Sequence, residues 1–524
     1  MKKNTTDDIK IDEISLEEGE KRKRKQRKRR SKAPKKKEPV YDMDYDRETE
    51  RKSKNRDLIK ASYFFVCLFF SLAVYLGYLN IYKAEDINSN SHNTKQESKE
   101  EEIIRGSIYS SDGEILAGTN VDAEGNETRL YPFENVFAHV VGYYTNGKSG
   151  IESISNYELT SSHASILKQI ENETQNVKVR GDSVVLTLDS RLQQACYDAL
   201  GYYEGAVVVM EPSTGKILAM VSKPDFNPNT ISTDWESLIS DSTNSSLFNR
   251  ATQGQYPPGS TFKILTTLAY IREHPDDYDS YHYNCTGSIS REDVTITCYG
   301  GSVHGSEDLA ESFLHSCNGS FANIGLELDN QDFKEICEDF GFNSDLPISL
   351  PSSQSLFKLG EHASYGEEMM TAIGQGETVV SPLQMAMVTC AVANGGVMME
   401  PYLIDRIETY DGDLVKQYKG SKYKEPMTAE EAGILADFMT RTVEEGTASA
   451  LSGQSYTAAG KTGSAEYEIS EEQKSTHSWF VGYSNVSNPD IVVSVIAEDG
   501  GSGSETAVPI AKSIFDAYYT LSQE

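Results

Sequence analysis

Cysteine is scarce in this sequence. Of 524 residues 7 are cysteine, and none stands at a metal-ligand spacing from another. Cys67 falls in an apolar run. Cys285 and Cys298 flank a short Gly- and Thr-containing stretch that can form a hairpin, so a disulfide between them is open. Cys196, Cys317, Cys337 and Cys390 read as small packed hydrophobes. Long apolar runs are equally rare. Residues 61–81, ASYFFVCLFFSLAVYLGYLNI, carry no charge, and as a helix of about 31 Å they would cross a hydrocarbon core. Tyr63, Tyr75, Tyr78 and Tyr82 lie near its ends, where aromatic rings favour the headgroup level. A cleaved signal peptide fits poorly, because the charged region ahead and the apolar run are both too long and no small-x-small site follows.

Positive charge is missing from the body of the chain. The first 60 residues hold 22 Lys and Arg against 14 Asp and Glu, a net of +8, so with −31 overall the remainder carries −39. Such a body repels phosphates, which excludes nucleic acid as a partner. The basic run Lys21–Lys37 precedes the apolar segment, where the positive-inside rule and anionic lipid account for it. The N-terminus is then expected in the cytoplasm and Lys83 onward outside the cell membrane.

The length allows two or three domains. Residues 1–57 are charged and poor in large apolar side chains, so a disordered basic tail is expected. A transmembrane helix over 58–82 and a polar linker over 83–102 follow. Residues 103–182 contain short strand-like pieces and turns (RGSIYSSDGEIL, then FAHVVGYY) and are too few for a catalytic domain. From residue 183 to 524 the pattern predicts one α+β domain. Arg191–Leu200 has helical spacing, Gly205–Ser222 is a hairpin around Pro-Ser-Thr-Gly, and a long helical section follows. Tyr456–Tyr467 and a second hairpin, Ser478–Tyr483 with Ile491–Ala497, complete the sheet late, and Glu505–Leu521 closes the chain as a helix.

Serine is a weak nucleophile that needs an adjacent base and donors for the oxyanion it forms. Ser-x-x-Lys at a helix start meets the first need, because positions i and i+3 share a face. The pattern alone decides little: it occurs at Ser165, Ser213, Ser260, Ser355 and Ser421. Ser213 is in a hairpin turn, Ser421 in a polar stretch and Ser165 in the small first domain, while Ser355 is harder to exclude. Ser260 alone follows Tyr256-Pro-Pro-Gly and precedes the apolar run Phe262-Lys-Ile-Leu, which sets it in a first helical turn. Ser316-Cys317-Asn318 ends the helical stretch Glu307–His315. There Ser316 can relay a proton and Asn318 can bind a substrate amide. Lys461-Thr462-Gly463-Ser464 reads either as a strand with a glycine bulge or as a site element. In the second reading Lys461 adds positive charge, Thr462 binds a carboxylate and Gly463 lets the backbone approach substrate. The Ser464 N–H, with that of Ser260, would form the oxyanion hole.

The ordered set Ser260-x-x-Lys263, Ser316-x-Asn318 and Lys461-Thr-Gly463 resembles the active site of penicillin-binding proteins. Gly374-Gln-Gly-Glu377, Ser381-Pro-Leu-Gln384 and His477-Ser-Trp-Phe-Val-Gly482 are similar to further stretches of that family, and Arg105–Leu116 is similar to the opening of the class B N-terminal domain. The resemblance runs over about residues 103–520. It implies a five-stranded antiparallel sheet with helices on both faces, beside a small β-rich domain nearer the compact Gram-positive and actinobacterial form. It implies D,D-transpeptidation of peptidoglycan stem peptides through acyl-Ser260, inhibited by β-lactams and using no cofactor. Lys263 would then be the base, Ser316 the proton carrier, and Lys461, Thr462 and Ser464 the carboxylate holders. Roughly 100 residues between the span and Ser183 cannot also house a glycosyltransferase, so a membrane glycan polymerase of the shape-and-division family is the implied partner.

D,D-carboxypeptidases and serine β-lactamases share the three motifs. Glu327-Leu-Asp-Asn330 is a poor match to a Glu-x-x-Leu-Asn deacylation motif, however, and neither rival needs the extra domain. A β-lactam sensor should carry several spans and a His-Glu-x-x-His protease, both missing here. A silent division scaffold is expected to have lost a motif residue, and none is lost.

Overall fold

The computed structural model describes residues 43–78, 103–165, 168, 178–240, 245–470 and 473–522. Two units, Met1–Lys83 and Ala84–Glu524, are considered separately. The basic run Lys21–Lys37, Tyr82 and the linker over 83–102 lie outside the described residues. Among the described residues of the first unit one helix runs Met43–Tyr78. It begins inside the stretch expected to be a disordered tail, because Arg47, Glu48, Glu50, Arg51 and Lys52 are strong helix formers that extend an apolar helix backwards. Its last 25 residues, Lys54–Tyr78, are long and apolar enough to cross a membrane.

The second unit contains two principal sheets. One has six strands, ordered Leu414–Gln417, Ile404–Glu408, Ser183–Leu186, Ile108–Tyr109, Ile115–Val121 and Glu127–Leu130. It draws strands from both sides of position 182, so late residues of the chain complete the sheet that the early ones start. FAHVVGYY, expected to be strand-like, is helical: a 3-10 turn over Glu134–Phe137 leads into a helix over Ala138–Val141. Phe137, Val140 and Val141 are buried together, the spacing of one helix face, which so short an apolar run conceals. Beside this sheet the fully buried Glu152 carboxylate takes the Arg105 and Arg129 guanidiniums at 2.7 Å each.

The second sheet has five antiparallel strands: β1 (Gly205–Met210), β2 (Ile217–Lys223), β3 (Ala458–Ser470), β4 (Gln473–Ser484) and β5 (Val492–Ala497), in the order β3-β4-β5-β1-β2. β1 and β5 are buried along their whole length, which explains their unbroken apolar runs. Alternation then sorts the faces. Val207 and Val209 join Leu192, Ile514 and Phe515 from the helices Ser190–Leu200 and Ala507–Leu521. Ala206, Val208 and Met210 join Met385 and Val388 from the buried helix Pro382–Ala393. Helices therefore cover both faces, as expected. β3 is an edge strand, and its Lys461–Ala465 stretch faces the segment that carries Ser260.

Candidate active site

Ser260 lies in a 3-10 turn, Gly259–Phe262, that runs directly into the helix Lys263–Glu273. The turn is held from several sides. Tyr256 exchanges backbone hydrogen bonds with Val380 at 3.0 and 2.8 Å, and the Gly259 N–H donates to the Gly374 carbonyl at 2.8 Å. Thr261 Oγ1 donates to the Pro258 carbonyl at 2.7 Å. Phe262 is fully buried against Phe333, Phe342 and Phe357. A Cβ on Gly374 would lie 2.0 Å from the Gly259 carbonyl, and Gly374 has φ +75°, so only glycine fits where this loop supports the turn.

Ser316 and Asn318 sit between two short helices, Leu309–Leu314 and Asn318–Gly325. The expected helix Glu307–His315 starts later than its sequence suggests. Gly305–Asp308 is a strand paired with His282–Cys285, and Asp308 caps the helix in a capping box with Glu311. Ser316 has φ +58°, a left-handed conformation that costs a residue with a Cβ about 1–2 kcal/mol. That turn aims Ser316 Oγ at two buried amines. Lys461 Nζ donates to it at 2.9 Å and Lys263 Nζ at 3.3 Å. Lys263 also donates to the Ser316 carbonyl and to Asn318 Oδ1, both at 2.8 Å. Its hydrogen bonds thus go to Ser316 and Asn318 rather than to the Ser260 hydroxyl that i,i+3 spacing suggested.

Both lysines have 0% exposure. Burial pushes the Lys263 ammonium down to about 7, against smaller opposing pulls from Cys317, Cys298 and Glu307. Burial and the neighbouring Lys263 charge drive Lys461 well below the ordinary lysine range. A neutral amine is therefore available near neutral pH, which a proton acceptor for serine requires.

A cleft of about 1190 Å³ is lined by Ser260, Ser316, Asn318, Thr462, Gly463 and Ser464 among others. The two lysines lie beneath it. All eight sequence-derived site residues therefore converge on one place. Of the two readings of Gly463, the structure removes the bulge. No bulge occurs there, since β3 and β4 stay in register from Ala458 to Glu468. A Cβ on Gly463 would lie 3.0–3.1 Å from Trp479, Pro258 and Thr261, so this glycine lets the strand and the Ser260 turn touch. Ser464 Oγ accepts from the Gly503 N–H at 3.1 Å. Ser355, the rival serine, is buried and its Oγ accepts the Ser381 N–H at 3.2 Å, while Lys358 is half exposed beside Glu377.

Sequence reading missed two residues of this cleft. Thr447 Oγ1 meets Thr462 Oγ1 at 2.6 Å, signalled in the sequence only by a Gly-Thr pair after a helix end. The Gln375 amide lies against the Glu466 backbone, oriented to donate to its carbonyl at 3.0 Å and accept its N–H at 3.1 Å. Sequence reading also found no metal spacing among the cysteines, yet Cys285, Cys298, Cys317 and His304 bring one ligand atom each within 4.8 Å of one another. The Cys285 and Cys298 sulfurs, candidates for a disulfide, are unbonded at 3.6 Å. Cys317 is buried as expected but belongs to this cluster. Cys196, Cys337 and Cys390 are buried elsewhere.

Comparison with known proteins covers the stretch of chain that holds these residues. The family described as "Penicillin binding protein transpeptidase domain" matches residues 205–516, and "Penicillin binding protein A dimerisation domain" matches residues 105–184. The chain is similar to the peptidoglycan D,D-transpeptidase PbpA of Mycolicibacterium smegmatis, 29% identical over 466 residues, covering 83% of this chain and 93% of that one. Among solved structures it is similar to the D,D-transpeptidase domain of a peptidoglycan glycosyltransferase from Eggerthella lenta, with 31% identity and a TM-score of 0.72, covering 80% of this chain and 99% of that one. It is also similar to the penicillin G acyl-enzyme complex of penicillin-binding protein A from M. tuberculosis, with 27% identity and a TM-score of 0.72, covering 80% and 100%. A serine backed by two buried amines at the edge of a five-stranded sheet, behind a dimerisation-type domain, is accounted for in one way: the chain belongs to the class B penicillin-binding proteins.

Proposed function

We propose that this enzyme is a peptidoglycan D,D-transpeptidase that cross-links stem peptides through an acyl-Ser260 intermediate and is acylated at the same atom by β-lactams. The observation that carries the assignment is the convergence of two buried amines on Ser316 Oγ beside the half-buried Ser260. Lys263, neutral at working pH, takes the Ser260 proton as Oγ attacks the penultimate D-alanine carbonyl. Its hydrogen bond to Ser260 forms as substrate binds, since such bonds are often open in an unliganded site. Ser316 hands a proton from the lysine pair to the leaving D-alanine amine. The Ser260 and Ser464 N–H groups stabilise the oxyanion, while Lys461, Thr462 and Ser464 hold the terminal carboxylate and Asn318 the peptide amide. An acceptor amine from a neighbouring strand then takes the acyl group.

In this reading residues 103–182 form a small pedestal domain and 183–524 the catalytic domain. The Lys54–Tyr78 part of the helix Met43–Tyr78 is the membrane anchor, as its length and apolar composition support. The basic run ahead of it sets the N-terminus in the cytoplasm, which leaves the catalytic domain outside with the cell wall. A membrane glycan polymerase of the shape-and-division family supplies the strands. Failure of the two to co-purify from detergent, with no change in polymerase activity, would remove that partner.

Labelling with a fluorescent penicillin tests the nucleophile. Wild type is expected to form a stable adduct and Ser260→Ala none; a labelled mutant rejects the assignment. Rapid loss of the adduct would indicate a β-lactamase, and D-alanine release without a cross-linked product a carboxypeptidase.

A further inference from the structure

We infer that Gln375 closes the open edge of β3 at Glu466 and so sets how much of a donor peptide the enzyme reads: the donor pairs with β3 as far as Ser464 and no further. The role given to the donor rests on the transpeptidase reading above. The closure of the edge stands on geometry alone.

β3 is the outer strand of its sheet. An outer strand presents unpaired N–H and C=O groups on every second residue, a template that an extended peptide can join. The contact with Gln375 shows which residues those are. The Glu466 C=O accepts from the Gln375 amide at 3.0 Å and the Glu466 N–H donates to it at 3.1 Å, so both groups point away from β4. β3 and β4 stay in register from Ala458 to Glu468, and the alternation is unbroken. Ser464 and Thr462 therefore present their backbone groups on the same edge, and both residues line the cleft.

A primary carboxamide holds a C=O acceptor and an N–H donor side by side, which is what one residue of a paired strand offers in an antiparallel ladder. Gln375 thus stands in for one residue of a further strand. Its backbone is held by the way the helix Tyr365–Ala372 ends. The Gln375 N–H donates to the Met370 carbonyl and the Gly374 N–H to the Thr371 carbonyl, both at 2.9 Å, with Gly374 at φ +75°: this is a Schellman motif. The Gly374 carbonyl in turn accepts the Gly259 N–H at 2.8 Å. One short loop therefore supports the Ser260 turn with its backbone and closes β3 with its side chain.

Strand direction says what this excludes. In the proposed site the donor's terminal carboxylate lies towards Thr462, and the Ser464 N–H faces the penultimate carbonyl. The donor then runs antiparallel to β3, and its earlier residues head towards Glu466. The residue two places before the penultimate D-alanine falls opposite Glu466, about 6.8 Å beyond Ser464. Gln375 already fills that place. Earlier donor residues must turn away from the sheet edge, so the enzyme reads the end of the stem peptide and not its start.

Full-length protein in detergent tests both parts. Amide hydrogen exchange, read residue by residue by mass spectrometry, needs no activity. In wild type the Glu466 N–H should exchange about 10-fold or more slowly than the Ser464 N–H, and Gln375→Ala should remove the difference. Equal exchange at the two positions in wild type overturns the closure, whether or not the variant folds. For the donor, acetyl-D-alanyl-D-alanine and the same peptide extended by two residues at its start each compete with fluorescent penicillin for Ser260. The readout is the ratio of the concentrations that halve the labelling rate, short peptide over long, which cancels any general change in the site. Gln375→Ala should raise that ratio about 5- to 10-fold over wild type, the worth of one or two hydrogen bonds made available at Glu466. Gln375→Glu, which accepts the Glu466 N–H but has no proton to donate, should raise it by less. An unchanged or lower ratio in Gln375→Ala, with both peptides competing, rejects the role of Gln375 and leaves the transpeptidase reading intact. Neither peptide competing while Ser260 still takes penicillin rejects the donor itself, and this role with it.

Discussion

Two ammonium groups cannot both remain charged around one buried hydroxyl. Lys263 and Lys461 share Ser316 Oγ, so the site holds its protons loosely near neutrality. With the Lys263 pKa lowered to about 7, this proposed base is protonated and idle below that pH and free above it. The rate of penicillin acylation is therefore expected to rise with pH and level off, with a midpoint near 7, in stopped-flow labelling; a profile flat from pH 6 to 8 would contradict the role given to Lys263. Lys263→Met should slow acylation about 10²–10⁴-fold, the usual worth of a positioned base. The strained Ser316 backbone gives a second test. Ser316→Gly and Ser316→Ala lose the same hydroxyl, but only glycine relieves φ +58°. The glycine variant should be the more stable in denaturant by about 1–2 kcal/mol. At this scale the sequence named eight residues that the fold brings to one cleft, since their types alone carry the proposed chemistry. It could not show that Lys263 bonds Ser316 rather than Ser260, because that contact crosses 53 residues of chain.

Elements hold those residues in place. Prolines before Ser260 and the apolar run after it were enough to locate a helix start, although the Ser260 turn is 3-10 and the α-helix begins at Lys263. What fixes the turn is distant: the Gly374 loop on one side and β3 on the other. Gly374→Ala forces a Cβ to 2.0 Å from the Gly259 carbonyl at a positive φ. It should cost about 1–3 kcal/mol as overpacking does, lowering the melting temperature and weakening fluorescent-penicillin labelling together. Labelling retained at the wild-type rate would show that the turn does not depend on this loop. Local pattern failed where apolar runs were short. Phe137–Val141 reads as strand and folds as helix, and residues 43–57 read as disordered tail yet belong to a helix.

Across the whole molecule, Glu152 shows how much depends on partners far apart in sequence. Burial alone would raise its pKa, but Arg129 and Arg105 outweigh that and hold it below its ordinary 4.5. The stabilisation is therefore present above pH 4.5 and lost as pH falls through the lower folded value. Glu152→Ala leaves two buried guanidiniums without their carboxylate and should cost about 3–5 kcal/mol. The stability gap between wild type and Glu152→Gln, followed by thermal melting, should narrow as pH drops below 4.5; a constant gap would assign the effect to packing. Sequence alone determined the apolar helix, the paired hairpins, the α+β class and the three motifs, because hydropathy period, turn chemistry and residue type are local properties. Tertiary structure decided the rest: the six-stranded sheet across position 182, the buried lysine pair over one serine, the glycines that let strand and turn touch, and the cysteine–histidine cluster. Each of these is a meeting of groups separated by tens to hundreds of residues, brought together only when burial closes the core.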